Sequence, residues 1–359
     1  MQQTPVVAGV ALAIGGALAS AQAPARAVTQ PSPRAQNRTI TTVDRIRVGS
    51  VTLAERPTGC TVIVVDGEGA VGGVSQRGGA PGTRETNLLD PSNQVDKVNA
   101  IVLAGGSAFG LDAASGTMRW LEEHNIGWDV RIARVPIVPA AILFDLSVGG
   151  NPKIRPTADC GYKAASAATA APVEEGSVGA GAGATIGKSA GANRSMKAGL
   201  GSYAVTLPNG LQVGAVVAVN AIGDIIDPDT GRVVAGVRNP DGTLADARLL
   251  LRAGTRRETP RAGANTTIGL VATNATLTKA QAQRVALMAD DGLARAIFPS
   301  HTLGDGDTVF SLATGTWNGT VDVSQIGALA ADVMARAIVR AATEATSVVN
   351  IPAARDLKK

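Results

Sequence analysis

Aromatic residues are scarce in this 359-residue chain, at 3%. Cysteine and histidine are scarcer still, with two of each: Cys60 and Cys160, His124 and His301. No spacing among these four resembles a zinc or iron–sulfur site, so neither a metal nor a cofactor is expected. Two lone buried thiols are the commoner arrangement for so few cysteines, and a Cys60–Cys160 disulfide is left open. Charge of one sign is also missing, because 33 basic against 29 acidic residues leave a net +4 spread along the chain. The one basic cluster, Arg252, Arg256, Arg257 and Arg261, has no aromatic neighbours and reads as a solvated loop, not a nucleic-acid surface.

Long apolar runs are lacking too. Val6–Ala19 is Ala-, Val- and Gly-rich and is followed by small-residue cleavage patterns at positions 19–23, as in a signal-peptide core. It has no basic lead-in and is too short to span a membrane. Export to the periplasm follows if that segment is a true signal, and a cytoplasmic location otherwise. Residues 1–38 are set aside as this extension and a linker.

What the chain does contain is 43 glycines and 45% hydrophobic residues, a composition suited to closely packed sheets and helices. Short apolar runs such as Thr61–Val65 are broken by Gly, Asp and Pro between residues 46 and 74, as in strands joined by tight turns. A long Gly/Pro loop follows at Arg77–Thr86. Val98–Leu103 reads as a buried strand running into Gly105-Gly106, with Ser107 as the cap of a helix carrying Leu111, Ala114, Met118 and Leu121. A unit of that kind can offer backbone N–H groups to an anion or oxyanion. An Ala-rich helix is expected over Ala164–Ala171, and strands over Val213–Val219 and Ile268–Ala272. Thr278 and Gln281 form a capping box for a helix reaching about Ile297, and another helix spans Ser324–Ala342 with Ile326, Leu329, Val333 and Ala337 on one face.

Two stretches imitate well-known sites. Gly179–Ser189 nearly matches a phosphate-binding loop, but Ala182 stands where its first glycine belongs, and no acidic residue follows at the distance a dinucleotide site needs. Lys188 remains a cation on a flexible glycine platform. Asp305 and Asp307 resemble the start of a calcium loop whose later ligands are absent, yet as neighbours in extended chain they can jointly hold a hydroxyl or an ammonium.

The remaining chemistry centres on Asn265-Thr266-Thr267, where a small, polar lead-in enters an apolar strand. Attack of the Thr266 hydroxyl on the Asn265 carbonyl would turn the amide into an ester that water opens, leaving Thr266 as a new terminus. Its α-amine, with an ordinary pKa of about 7.7–8, could then serve as base to its own hydroxyl. Asn220, at the end of its strand, can donate to a developing oxyanion. The plain alternatives are a polar turn at Thr266, a turn cap at Asn220 and a surface lysine at Lys188.

Taken together, Arg77–Thr86, Gly105–Leu111, Gly179–Lys188, Val219-Asn220, Asn265-Thr266-Thr267 and Asp305–Thr308 resemble the DmpA-like self-processing hydrolases. These include D- and β-aminopeptidases and the nylon-oligomer (6-aminohexanoate oligomer) hydrolases. The resemblance covers roughly residues 45–342. It implies an α+β fold, a four-layer αββα sandwich resembling the N-terminal-nucleophile hydrolases, cut into a large chain (39–265) and a small chain (266–359) that stay together, with tetramers of cut protomers. Carried over by position, it implies Thr266 as nucleophile, Asn220 as oxyanion donor, Lys188 as a hydrogen-bonding cation, and Asp305 and Asp307 as carboxylates that orient the Thr266 hydroxyl and amine. The threonine and both aspartates match the nylon-oligomer hydrolases, whereas aminopeptidase members have serine, and a substrate-anchoring glutamate in the segment matching Val138–Phe144. Phe144 stands where the nylon-oligomer enzymes carry a substrate-facing tyrosine. The expected activity is hydrolysis of small linear amides or oligoamides. A β- or D-amino-acid aminopeptidase is the alternative, and an acyltransferase of the ornithine acetyltransferase type a more distant one.

Overall fold

Continuous apolar runs pair into two sheets stacked face to face, each roofed by helices on its outer side. The computed structural model describes residues 37–254, 263–348 and 350–357. The signal-like run Val6–Ala19 and Arg256, Arg257 and Arg261 of the basic cluster lie outside the described residues.

The first sheet has the strand order Ile46–Thr52, Gly59–Val65, Ala100–Ala104, Ala140–Ile142, Thr83–Arg84. The second runs Leu200–Thr206, Gln212–Asn220, Thr266–Ala275, Thr308–Trp317, Ala70–Gln76, Lys97–Val98. Gly59–Val65 and Thr266–Ala275 are buried along their whole length. That is why they read as unbroken apolar or small-residue runs instead of alternating ones. At the centre of the second sheet Thr266–Ala275 and Thr308–Trp317 are parallel, with Ile268 opposite Thr308. On its other side Thr266–Ala275 pairs antiparallel with Gln212–Asn220, which places Asn220 opposite Thr266.

Helices α1 (Ala113–Glu123) and α2 (Ala158–Ser166) cover the first sheet, with Cys60, Val62, Val102, Leu121 and Ala164 in the apolar layer between. A short helix α3 (Ala247–Arg252) lies on the path toward Thr266. Helices α4 (Lys279–Ala296) and α5 (Val323–Thr343) cover the second sheet over Val217, Val271, Val285, Leu293, Val333 and Ile338. A third apolar layer, including Ile63, Ile101, Leu103, Ile268, Leu270 and Phe310, fills the space between the sheets. The result is a four-layer αββα sandwich.

The Thr278–Gln281 capping box is formed with both of its hydrogen bonds. Three local expectations are corrected. Ser107 makes no side-chain cap bond and instead opens a 3₁₀ turn over Ser107–Asp112. The alanine-rich helix begins at Ala158, upstream of the expected Ala164. Cys60 and Cys160 form a disulfide joining the strand Gly59–Val65 to α2, because the packing of that helix on the sheet brings their Cα atoms within 6.2 Å. Among the described residues no helix is long and apolar enough to cross a membrane.

Candidate active site

The head of the strand Thr266–Ala275 is where the dispersed candidates meet. Thr266 and Asn265 are buried, and the Thr266 hydroxyl donates to the carbonyl oxygen of Asn265, the residue immediately before it. The same oxygen accepts the Gly306 N–H at 2.9 Å. A hydroxyl thus sits against the carbonyl it would attack, and a backbone donor already polarises that carbonyl. Glycine is required at 306, because a Cβ there would lie 2.7 Å from the Ala80 carbonyl oxygen and 2.9 Å from the Thr266 hydroxyl. The Arg77–Ala80 part of the Gly/Pro loop packs along this turn through main-chain bonds, including Ala80 N–H to Asp305 O at 2.8 Å.

Asn220 is fully buried beside Thr266. Its side-chain oxygen accepts the Thr185 N–H at 3.0 Å and the Lys188 ammonium at 2.9 Å, while its amide nitrogen donates to Phe144 O at 2.9 Å. Lys188 also donates to the Asn220 main-chain oxygen at 3.0 Å. These acceptor contacts fix which way the amide faces. An amide has two N–H groups, and the Phe144 carbonyl takes one. Phe144 therefore reaches the site through its backbone. Burial lowers the Lys188 pKa to about 7, against the opposing charge of Asp305.

The two aspartates diverge from the expectation that they jointly hold Thr266. Asp305 accepts the Thr302 N–H at 2.9 Å and its hydroxyl at 2.6 Å through one oxygen, and its other oxygen is buried without a partner among the described residues. Burial, then the neighbouring Asp307 charge, raises the Asp305 pKa. Asp307 accepts the Thr267 N–H at 2.7 Å, one residue past the nucleophile candidate, and the N–H and imidazole Nδ1 of His301, each at 3.0 Å. In the uncut chain Thr266 has no free amine for either carboxylate to hold, and its hydroxyl is engaged by Asn265.

The Gly105-Gly106 turn is not available to a ligand. Its donors are consumed internally, Gly105 N–H by Gly59 O (2.9 Å), Gly106 N–H by the Asp145 carboxylate (2.9 Å) and Ser107 N–H by Leu143 O (3.0 Å). The glycine platform before Lys188 is likewise tied to the first sheet, through Gly179 N–H to Thr52 and Ala180 N–H to Thr61. Upstream of the Thr266 bond the chain is anchored at Val237 and Ala247, whose N–H groups both bond to buried Asp224, while residues 251–254 are exposed.

Sequence alone assigns no site role to Gly306, His301 or Asp290. His301, one of two histidines and four residues before Asp305, carried a signal in its rarity. Asp290 carried none, since an acid on a helix reads as surface. Among the described residues no group of three or more His, Cys, Asp or Glu side chains is placed to hold a metal ion.

Residues 38–354 match the model of peptidase family S58. The chain is 47% identical over 323 residues, 82% of its own length and 84% of the other, to a Mycobacterium leprae protein named an uncharacterized aminopeptidase. It is 30% identical over 311 residues, 83% of this chain and 84% of the relative, to the 6-aminohexanoate-oligomer endohydrolase of a Kocuria species. In structure it is similar to the L-aminopeptidase D-Ala-esterase/amidase of Ochrobactrum anthropi, described as a variant of the Ntn hydrolase fold. The TM-score is 0.63 at 19% identity, over 90% of this chain and 89% of that one.

Proposed function

The chain belongs to peptidase family S58, and from that premise we propose that it is an amidase activating itself by cutting the Asn265–Thr266 bond and then hydrolysing linear amides with Thr266. That it is a peptidase or amidase of the N-terminal-nucleophile type follows from the family and the relatives. The observation that carries the finer reading is the Asn265 carbonyl oxygen held between the Thr266 hydroxyl and the Gly306 N–H.

In self-cleavage the Thr266 Oγ1 attacks the Asn265 carbonyl carbon, and the charge growing on the oxygen is met by the Gly306 N–H. Collapse breaks the C–N bond, passes the proton to the nitrogen and leaves an ester, which water hydrolyses to an Asn265 carboxylate and a free Thr266 amine. In turnover the amine takes the hydroxyl proton, Oγ1 attacks the substrate amide, and the second Asn220 N–H receives the oxyanion. Collapse then breaks the substrate C–N bond, hands that proton to the leaving amine and leaves an acyl ester on Oγ1, which water hydrolyses to the acid and the free hydroxyl. The Lys188 amino group, donating to the side-chain oxygen, keeps Asn220 turned this way. Among the described residues one Asp305 oxygen has no partner, which supports a role for it in accepting from the Thr266 amine once that is freed.

The substrate class favoured by the threonine and paired aspartates is the 6-aminohexanoate oligomer, on which the Kocuria relative acts by name. The higher identity to the mycobacterial protein supports a second reading as an aminopeptidase. Intact-mass measurement of wild type is expected to give two chains, the smaller beginning at Thr266, and of Thr266→Ala a single uncut chain. A Thr266→Ala protein that still splits would remove the reading. Amine-blocked and free oligomers then separate the two substrate classes, because an aminopeptidase rejects the blocked form.

A further inference from the structure

Asp307, whose carboxylate bonds the first amide of the strand beyond Thr266, is itself held by a group that the reading above leaves without a task. His301 directs both its backbone N–H and its Nδ1 at one Asp307 oxygen, each at 3.0 Å. It does so with φ at 55°, a left-handed conformation uncommon for a residue with a Cβ. A ring nitrogen facing a carboxylate must carry its proton. The other nitrogen, Nε2, lies 3.7 Å from Asp290 Oδ1, and among the described residues neither of these buried atoms has a hydrogen-bond partner. A neutral ring would turn a lone pair toward that carboxylate, whereas an imidazolium offers a proton to each acid.

Each element packed around His301 contributes charge. Asp290 comes from α4 and also accepts the Ser75 hydroxyl at 2.6 Å, with the Arg77 guanidinium 3.5 Å away. Asp307, with Asp305 beside it, comes from the turn before the strand Thr308–Trp317. Burial is the largest influence on His301 and opposes its charge, and so does Arg77, but Asp307 and Asp290 outweigh them and raise its pKa. Burial lifts Asp290 to about 6. Above that value the acid is ionised, and its charge favours the protonated ring.

We propose that His301 is a positioning residue for self-cleavage and turnover: as an imidazolium gripped between Asp307 and Asp290, it holds the Asp307 carboxylate on the Thr267 amide and so fixes the strand end that presents Thr266. This rests on Thr266 being the nucleophile. Its pH signature is a loss of rate as pH rises through the His301 pKa. Removing the Asp290 charge lowers that pKa and draws the loss to lower pH.

The test follows self-cleavage by intact mass across pH, on full-length precursor made in a cell-free reaction, for wild type, His301→Ala, His301→Asn, Asp290→Asn and Thr266→Ala. Self-cleavage needs no added substrate, so the outcome is independent of which amide the enzyme takes. Losing one charge-assisted hydrogen bond predicts about a tenfold slowing in His301→Ala. His301→Asn, which can still donate to Asp307, should recover part of that rate but lack the alkaline loss. In Asp290→Asn the loss should move to lower pH. Rates and pH profiles like wild type in His301→Ala and Asp290→Asn overturn the proposal. So does a slow His301→Ala accompanied by an unmoved profile in Asp290→Asn, which would mark a packing role alone. Should His301→Ala be insoluble, the other two variants decide. Cutting in Thr266→Ala would overturn the nucleophile reading instead.

Discussion

Lys188 and Lys197 are two lysines held near neutrality by burial, and they impose a pH dependence on stability that runs opposite to that of an ordinary ion pair. Lys197 is fully buried and donates to the carbonyl oxygens of Gly181 and Ala198. Burial lowers its pKa to about 7, with the Asp145 charge opposing. Below that pH both the folded and unfolded chains carry the proton, and the folded one bears the full cost of the buried charge. Between about 7 and the ordinary lysine value near 10.4 only the unfolded chain keeps it, so stability rises with pH in that window. The slope for one such group is ~1.4 kcal/mol per pH unit, or on the order of 2–3 kcal/mol between pH 7.5 and 9.5. Lys188, lowered to about 7 by burial as well, contributes with the same sign. Asp224 and Asp290, whose values rise to about 6, do the reverse below neutrality: their contribution is present at low pH and is lost as pH rises toward 6. Urea unfolding of the uncut Thr266→Ala chain is expected to show the increase, and Lys197→Met to flatten it. Equal stability at both pH values would show that Lys197 is not held neutral.

At the scale of elements, pairing within the second sheet brings Thr266, Asn220 and the aspartates together, and glycine sets how closely the helical layer approaches that sheet. Gly201, in the strand Leu200–Thr206, lies under α5, where a Cβ would stand 2.1 Å from the Ala337 carbonyl oxygen and 2.4 Å from the Ala341 nitrogen. Both are backbone atoms, so the helix itself would have to move. Gly201→Ala is expected to cost about 1–3 kcal/mol by overpacking, against about 1 kcal/mol for Thr278→Ala, which removes only the α4 cap. Denaturant midpoints on the uncut chain order the two, and a Gly201→Ala protein as stable as its parent would mean that the layers are not in contact there. The same effect explains which elements were legible in the sequence. Helices α4 and α5 and the strand Gln212–Asn220 follow from periodicity and capping, because their own residues specify them. Helix α2 was displaced because Gly161, a residue of poor helix propensity, begins no helix on its own merits. It is tolerated because α1 crosses so close that a Cβ at 161 would lie 1.8 Å from the Ala113 carbonyl oxygen. The site divides in the same way. Thr266, Asn220, Lys188, Asp305 and Asp307 stood in segments whose chemistry could be read locally, and the fold gathers them. The His301–Asp290 contact depends on α4 turning one acid inward, which no local pattern encodes.

For the molecule as a whole, a cut at Thr266 would divide the second sheet between the two chains. The small chain would supply its two central parallel strands, Thr266–Ala275 and Thr308–Trp317, together with α4 and α5. The large chain would supply the flanking strands on both sides, Gln212–Asn220 with Leu200–Thr206 and Ala70–Gln76 with Lys97–Val98. Each piece alone would expose unpaired edges and an open apolar layer, so hydrogen-bonded strands and burial should hold the cut halves together without a covalent link. The disulfide is irrelevant to that union, since Cys60 and Cys160 both precede the cut and tie the first sheet to α2. Its effect is local and separate. Closing a loop of 100 residues stabilises the large chain by about 4–5 kcal/mol on a chain-entropy estimate. The union of the chains and the disulfide are therefore tested by separate outcomes. Size exclusion under native conditions should return both chains at equal stoichiometry in a single species, and it should do so with or without reductant as long as the protein stays folded. A denaturing gel should resolve the same two bands whether or not reductant is present. Reductant should instead lower the thermal midpoint, and Cys60→Ala should reproduce that loss while leaving the band pattern unchanged. A single heavy band that appears only without reductant would place a disulfide across the cut, and the pairing of Cys60 with Cys160 inside the large chain would then be wrong.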